Sequence, residues 1–284
     1  MHIRKAIFFF CCIFTLISGC ATNPITGDDE LMFYSVQDDT TLGREMAPAI
    51  EAALDDRIPD DDLQLYINRV GQRIARVCHH PEWEYRYIAT EHDMVNALAL
   101  PGGYIYITRG LLERLTSEAQ LAAVLAHETA HVVGRHTASQ LSKQTAMNLA
   151  TTALLVSGDV PSEMQHLAVM TNQVLTLSYS REDETEADRA GLDYMVQAGY
   201  EPNAMVEVLE TLQKEHRGRR ELEFYSTHPY PETRLYDIRR RIAEHYRHID
   251  SAITNEDVYK NNVLDYLTTD PKPPKKRPTQ TPNG

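Results

Sequence analysis

The chain has 284 residues, of which 42% are hydrophobic, so it can bury one substantial core without needing a second domain. Its formal net charge of −13 argues against a nucleic-acid partner, because nucleic-acid binding depends on a basic surface.

Residues 1–19 have the pattern of a secretion signal, in which two basic residues precede a short apolar run. The run is too short to cross a membrane as a helix, which takes about 20 residues. Residues 17–20, Ile-Ser-Gly-Cys, resemble the bacterial lipobox, and this implies a mature protein that begins at lipidated Cys20. Because residue 21 is alanine rather than aspartate, the same resemblance implies the outer membrane, facing the periplasm. An ordinary signal peptide followed by a chance cysteine is the alternative.

The next stretch, residues 20–34, is polar and contains turn-forming residues, so we predict a tether between the lipid and the folded domain. A single domain is predicted over residues 35–266. Residues 267–284 are rich in proline and lysine and are predicted to be disordered. After removal of the signal, only Cys78 remains beside the lipidated cysteine, which excludes an intramolecular disulfide framework.

Apolar residues recur at steps of three and four between residues 35 and 77, which predicts helices. Residues 84–90 and 104–108 are rich in aromatic and β-branched side chains, which predicts strands of a small sheet. A helix that is apolar nearly all round begins near Ser117 and should lie in the core. The rest is predicted to be mainly helical, including helices between residues 137 and 177 that either cover a cleft or leave it open. The predicted fold is therefore α+β and mainly α-helical.

The core helix contains the pattern H-E-x-x-H at His127, Glu128 and His131. Helix positions four apart return to within about 40° of each other, so both imidazoles face one point. Glu128 lies one step round the helix, where it can reach a water rather than the ion. Burying these groups without partners would cost about 1 to 3 kcal/mol each, which favours a metal site over a helix with hydrogen-bonded core histidines.

Two other groups of potential ligands are not predicted to bind metal. His136 follows His127 by nine residues, about 900° of rotation, and so points to the opposite side of a continuing helix. We predict that it is a helix-end histidine. Cys78, His79 and His80 are suitable ligand types, but adjacent residues rarely converge on one ion.

A catalytic zinc ion needs a third protein ligand, and the acidic stretch 182–188 offers candidates. Glu184 and Asp188 share a helical face with small residues that would allow close approach to the core helix. This geometry predicts Glu184 as the ligand and Asp188 as a hydrogen-bond partner of a ligating histidine. Glu186 lies about 200° from Glu184 and is predicted to be solvated. The alternative is a solvated acidic helix start, which the helix dipole would also favour.

Four motifs in this order resemble those of the M48 family of zinc metallopeptidases, in particular its bacterial lipoprotein members: NALALPGG at 96–103, HETAH at 127–131, ETEAD at 184–188 and STHPYPETR at 226–234. The resemblance covers roughly residues 31–242. It implies a metallopeptidase domain with one Zn²⁺ per chain, Glu184 as the third ligand and Asp188 as the supporting aspartate.

The resemblance also implies roles outside the helix pair. Asn96 and Ala97 would begin an edge strand that lines the cleft and binds a substrate peptide through main-chain hydrogen bonds. An ordinary covered hairpin is the alternative. His228 and Arg234 would lie near the zinc ion, where either could stabilise an oxyanion. From the residues alone, His228 is predicted to be a solvated loop histidine.

The predicted function is zinc-dependent endopeptidase hydrolysis of unfolded or misassembled envelope proteins, in quality control at the outer membrane. The expected partners are these substrates and the membrane, through a lipid on Cys20; the resemblance also suggests the outer-membrane assembly machinery. The main alternative is a lipoprotein that binds outer-membrane proteins like a chaperone with little turnover. A zinc hydrolase acting on non-peptide bonds is a third possibility, which the edge-strand segment disfavours.

Overall fold

Helices form most of the structure, a computed structural model that describes residues 20–155, 163–218, 223–229, 233–247, 249 and 252–269. The predicted signal, residues 1–19, and most of the predicted tail, residues 270–284, lie outside the described residues. The predicted class, α+β and mainly α-helical, is confirmed. Within the described ranges, no helix is both long and apolar enough to cross a membrane.

The strands occupy the first part of the chain and the helices dominate the remainder. The strands are β1 (Cys20–Thr22), β2 (Asp29–Leu31), β3 (Arg86–Thr90), β4 (Ala97–Ala99) and β5 (Tyr104–Thr108). The helices are α1 (Val36–Ala53), α2 (Asp61–Ala75), α3 (Arg109–Leu112), α4 (Glu118–Val133), α5 (His136–Leu155), α6 (Glu163–Leu175), α7 (Arg181–Gln197), α8 (Asn203–Gly218), α9 (Glu223–Thr227), α10 (Thr233–His245), α11 (Glu256–Tyr259) and α12 (Asp265–Thr269), with a short π-helical stretch before α12.

A three-stranded sheet has the order β3-β5-β4, with β3 parallel and β4 antiparallel to the central strand. The predicted turn between β4 and β5 is present, and its glycines adopt positive φ angles of 73° at Gly102 and 89° at Gly103. A Cβ atom at Gly103 would lie 1.9 Å from the carbonyl oxygen of Glu84, so only glycine fits there. The turn thereby leaves β4 at an edge of the sheet.

The segment predicted to be a tether contains an antiparallel hairpin of β1 and β2. Asn23, in its turn, is only 3% exposed, and the backbone N–H of Phe33 donates to Ser142 Oγ at 2.9 Å. This part of the chain is therefore packed against the domain. At the other end, α12 continues past the predicted boundary at residue 266, and the buried side chain of Leu267 holds it to the core.

Helix α4 lies in the core, and every one of its residues is buried. Its start is capped by Ser117, whose hydroxyl accepts a hydrogen bond from the backbone N–H of Gln120. Its end is abrupt, because Arg135 adopts a left-handed conformation with φ of 55°. The guanidinium of Arg135 donates to Asp39 at 2.6 Å, which fixes this turn and sets a new direction for α5.

Helix α7 packs directly on α4 through small side chains, as its sequence pattern predicts. Ala187 is fully buried, and a Cβ atom at Gly191 would lie 2.9 Å from the backbone nitrogen of His127. Close approach of the two helices brings the acidic face of α7 to the histidines of α4.

Candidate metal centre

The histidines of the H-E-x-x-H pattern converge with one carboxylate of α7. The Nε2 atoms of His127 and His131 are 3.0 Å apart. Glu184 Oε1 lies 3.4 Å from His131 Nε2, and Glu184 Oε2 lies 3.6 Å from His127 Nε2. All three side chains are buried. The structure thus brings together the three side chains that the helical spacing predicts.

A fourth potential ligand, His228, lies in the same cluster. Its Nδ1 atom is 2.9 Å from Glu184 Oε1 and 3.4 Å from His127 Nε2. Each of the four residues offers one ligand atom within 4.8 Å of the others. His228 is 1% exposed, so the prediction of a solvated loop histidine from the residues alone is wrong. It lies beside the other ligand atoms, in the part of the molecule where the family resemblance places it.

The donor set fits a divalent metal ion. Zinc–nitrogen distances of about 2.0–2.1 Å in tetrahedral geometry place ligand atoms about 3.3 Å apart. The separations given above run from 2.9 to 3.6 Å, and no two of the four ligand atoms are more than 4.8 Å apart. Both carboxylate oxygens of Glu128 are buried and have no hydrogen-bond partner among the described residues, and a water beside a bound ion would satisfy them.

The carboxylate side chains at the start of α7 point in different directions. Asp183 closes a capping box with Ser180, because each side chain accepts a hydrogen bond from the other's backbone N–H. Glu184 faces the cluster. Glu186 was predicted to be solvated, but its side chain is only 13% exposed and contacts the N-terminal hairpin, so that prediction is wrong.

Asp188 and Arg234 form a buried pair beside the cluster. Asp188 Oδ1 lies 3.2 Å from His127 Nδ1, on the side of the ring away from the other ligand atoms. Arg234 donates to both oxygens of Asp188, from Nε at 2.6 Å and from Nη2 at 2.7 Å. Its Nη1 atom also lies 2.6 Å from Glu184 Oε2 as an ion pair, although this oxygen has no hydrogen-bond partner in the parts of the chain that the structure describes. Arg234 is therefore held between two carboxylates.

Burial and pairing set the charges of these groups. Burial would raise the pKa of Glu184, but the charges of His228 and Arg234 outweigh it and hold that pKa well below its usual range. Burial raises the pKa of Glu128. Burial lowers the pKa of His131 well below its ordinary value, so the imidazole is neutral, as a metal ligand must be. The cluster thus holds an ionised carboxylate beside a neutral imidazole.

His136 lies in an unexpected place. It is not among the clustered ligand atoms, but its Nδ1 atom is 2.8 Å from Nδ1 of the ligand-type His131. The prediction that it points away is wrong, because the angular count assumed a continuous helix across Arg135. Gly134, a common helix-ending residue next to that position, was the available sequence signal.

The edge of the sheet lies beside the cluster and is covered. β4 is buried, and Thr137 of α5 donates to the carbonyl oxygen of Ala99 at 3.0 Å. Thr227 donates to the side-chain oxygen of Asn96 at 3.4 Å, so the segment that carries His228 contacts the start of the predicted substrate strand. Asn96 and Ala97 are 3% and 1% exposed. An added peptide strand would therefore have to displace these contacts.

A small cavity of about 30 Å³ adjoins Glu128 and His127. Apolar side chains line more than half of it, namely Ala123, Val124, Met205, Val208, Leu209 and Phe224. Its volume is sufficient for about one water molecule.

Cys78, His79 and His80 each make a separate contact. Cys78 Sγ lies 3.3 Å from the Tyr85 hydroxyl, and His80 stacks on Trp83. His79 instead hydrogen bonds to a tyrosine of α7.

The chain matches the sequence model of peptidase family M48 over residues 61–242, more than half of its length. It is 35% identical over 181 residues to the mitochondrial metalloendopeptidase OMA1 of Schizosaccharomyces pombe, covering 63% of this chain and 53% of that protein. It is 32% identical over 194 residues to the β-barrel assembly-enhancing protease of Escherichia coli K12, covering 65% and 40%. For the protease of the same name from Yersinia pestis, the identity is 31% over 193 residues. The chain spans about half the length of the curated relatives it matches.

Proposed function

Since the chain belongs to peptidase family M48, we propose that it is a zinc-dependent endopeptidase that hydrolyses peptide bonds of unfolded or misassembled envelope proteins. One observation carries this proposal: His127, His131 and Glu184 converge beside Glu128, a buried carboxylate to which no side chain or backbone group in the described part of the chain donates a hydrogen bond. Two imidazoles and a carboxylate are the ligand set of several zinc peptidases.

When bound, zinc supplies Lewis acidity, which polarises the scissile carbonyl and makes a nearby water more acidic. Glu128 takes the proton from this water and later delivers it to the leaving amine. Its raised pKa suits this role, because the carboxylate must hold a proton between the two transfers. Asp188 accepts the Nδ1–H of His127 and so keeps Nε2 directed into the centre.

We infer that His228 moves away from the ligand cluster during turnover and so opens one position. Catalytic zinc sites use three protein ligands and keep one position open, whereas four ligand-type groups are clustered here. The other three project from the long helices α4 and α7, but His228 lies just beyond the five-residue helix α9. A move of this segment would also free the Asn96 side chain from Thr227 at the sheet edge.

An envelope location and a link to outer-membrane assembly are part of the proposal. The names of the bacterial relatives and the lipobox-like residues 17–20 support them. Cys20 is exposed at the first residue of β1, which is compatible with a lipid at that position. A second candidate, chaperone-like binding with little turnover, is favoured by the four-residue ligand cluster, because a fourth ligand would fill the position that a catalytic water needs.

The test is Glu128→Gln in the zinc-loaded protein. We expect about one zinc ion per chain to remain, while cleavage of an unfolded protein falls by roughly 10²- to 10⁴-fold because the proton acceptor is lost. Zinc is measured by elemental mass spectrometry and cleavage by mass spectrometry of the peptides. Glu182→Gln, the same chemical change at an exposed position of α7, is the matched control and should cleave normally.

Cleavage by Glu128→Gln at the wild-type rate would overturn the role of Glu128. A zinc-loaded wild type that binds unfolded proteins but produces no peptides would favour the chaperone-like candidate.

A further inference from the structure

We propose that His136 and Glu186 position the ligand His131, and that Asn23 ties this pair to the N-terminal hairpin, so that attachment of the hairpin raises the affinity for metal. We call the side chains of Asn23, Glu186 and His136 the hairpin relay. The inference rests on the proposed metal site but does not depend on the catalytic role of Glu128.

The first step is the contact between two buried imidazoles. His131 directs Nε2 into the ligand cluster, so its Nδ1 carries the hydrogen. That N–H donates to Nδ1 of His136 at 2.8 Å. His136 must then carry its own hydrogen on Nε2, which lies 3.1 Å from Glu186 Oε1 and donates to it. Every donor therefore meets an acceptor, and the hydrogen bonds run in one direction from the ligand to the carboxylate.

The second step joins the carboxylate to the hairpin. The side-chain amide of Asn23 donates to Glu186 at 2.9 Å and 3.1 Å, and to Glu30 of β2 at 2.8 Å. Its oxygen accepts from the backbone N–H of Ile25 at 2.8 Å. All polar atoms of this buried side chain are thus used, and the hydrogen bond to Glu186 spans 163 residues of sequence.

The local backbone is shaped around this contact. The left-handed turn at Arg135 swings His136 back toward α4. A Cβ atom at Gly134 would lie 2.5 Å from Nε2 of His136 and 2.8 Å from Oε1 of Glu186, so the absent side chain leaves room for their hydrogen bond.

The two ligand histidines are therefore supported in different ways. His127 is held by Asp188 and Arg234, which lie on α7 and α10. His131 is held through His136 by a pathway that leaves the helices and ends in the hairpin. Partners of this kind orient a ligand ring, and their loss typically reduces metal affinity 10- to 100-fold.

The test measures zinc affinity of the full-length chain by competition with a chromogenic chelator. His136→Leu, which fills the space but lacks both nitrogens, should weaken binding by about 10- to 100-fold. His136→Asn, which returns an acceptor near the Nδ1 position, should recover part of the loss. Asn23→Ala should weaken binding in the same direction but less. Thr22→Ala is the matched control, because it removes the hydrogen bond to Asp29 within the hairpin and leaves the hairpin relay intact.

The double variant Asn23→Ala with His136→Leu distinguishes a relay from general loosening. We expect it to bind zinc no more weakly than His136→Leu alone, because the hairpin then has no path to His131. Additive losses, or an equal loss in Thr22→Ala, would overturn the proposal. So would wild-type affinity in a His136→Leu protein whose circular dichroism shows that it is folded.

If zinc does not bind the wild type, the proposed metal site itself fails. If the wild type binds zinc and the variants of the hairpin relay bind it with the same affinity, the metal site stands and only the hairpin relay fails.

Discussion

Individual side chains at the centre differ in charge because their partners differ. Glu184 and Glu128 are both fully buried carboxylates, and burial alone would favour the neutral form of each. The charges of His228 and Arg234 nevertheless keep the pKa of Glu184 low, so that it is ionised and suited to bind a cation. Within the described ranges Glu128 has no hydrogen-bond partner, and burial raises its pKa. One carboxylate is thus suited to hold a metal ion and the other to exchange a proton.

Removal of His228 tests its place among the ligands. We expect His228→Ala to retain about one zinc ion per chain through the other three groups and to cleave an unfolded protein at least as fast as wild type, because a position for water is opened. Zinc content and initial cleavage rates are measured together. His245→Ala, at the exposed end of α10, is the control. A loss of about 10²- to 10³-fold in rate with zinc retained would instead support the oxyanion role.

At the scale of elements, two helices build the centre by approaching closely. α4 supplies two imidazoles and Glu128, and α7 supplies Glu184 and Asp188. Gly191 allows this approach, since any side chain there would press on the backbone of His127. The distance between the helices therefore determines whether the ligand atoms can meet on one ion.

Gly191→Val is expected to separate these helices. The added side chain should destabilise the fold by about 1 to 3 kcal/mol, as overpacking commonly does, and should weaken zinc binding. Denaturant unfolding and chelator competition measure the two effects. Arg189→Val places the same β-branched residue on the exposed face of α7 and is the control. Equal stability and equal zinc affinity in both variants would contradict a need for close packing.

At the scale of the whole molecule, the centre joins segments that are distant in sequence. α4, α7 and the segment around His228 all contribute ligand-type atoms, and α10 contributes Arg234. A bound ion therefore stabilises the packing of these segments, because it binds the folded chain and not the separated elements.

Removal of metal should lower the thermal unfolding temperature. Free zinc at about 100 times its dissociation constant stabilises a protein by about 2.7 kcal/mol, which corresponds to roughly 5 to 10 °C for a chain of this size. Circular dichroism before and after chelation, and after zinc is returned, measures the shift. The double variant of His127→Ala with His131→Ala, which leaves only two groups of the cluster, should unfold at the same temperature with and without chelator. An unchanged unfolding temperature in the chelated wild type would argue against a metal ion that joins these segments.

Tertiary structure altered several expectations at the N-terminus and around α4. The polar composition of residues 20–34 predicts a tether, yet the buried side chain of Asn23 holds a hairpin there against α7. Glu186 was expected in solvent because its angle from Glu184 is large, but a segment from the other end of the domain covers it. Angles around one helix give directions only, and they carry no information about what packs on each side.

The sequence by itself determined which side chains share one face of a helix, because that depends only on the helical period. Helical periodicity places His127 and His131 on one face of a buried helix, and small residues identify the contact face of α7. Only the tertiary structure decided which other groups reach that face. His228 joins the ligand atoms and Arg234 is bound by carboxylates, because a loop and α10 pack over the centre. His136 turns back to His131, because one left-handed residue changes the direction of the chain and ends the periodicity on which its prediction depended.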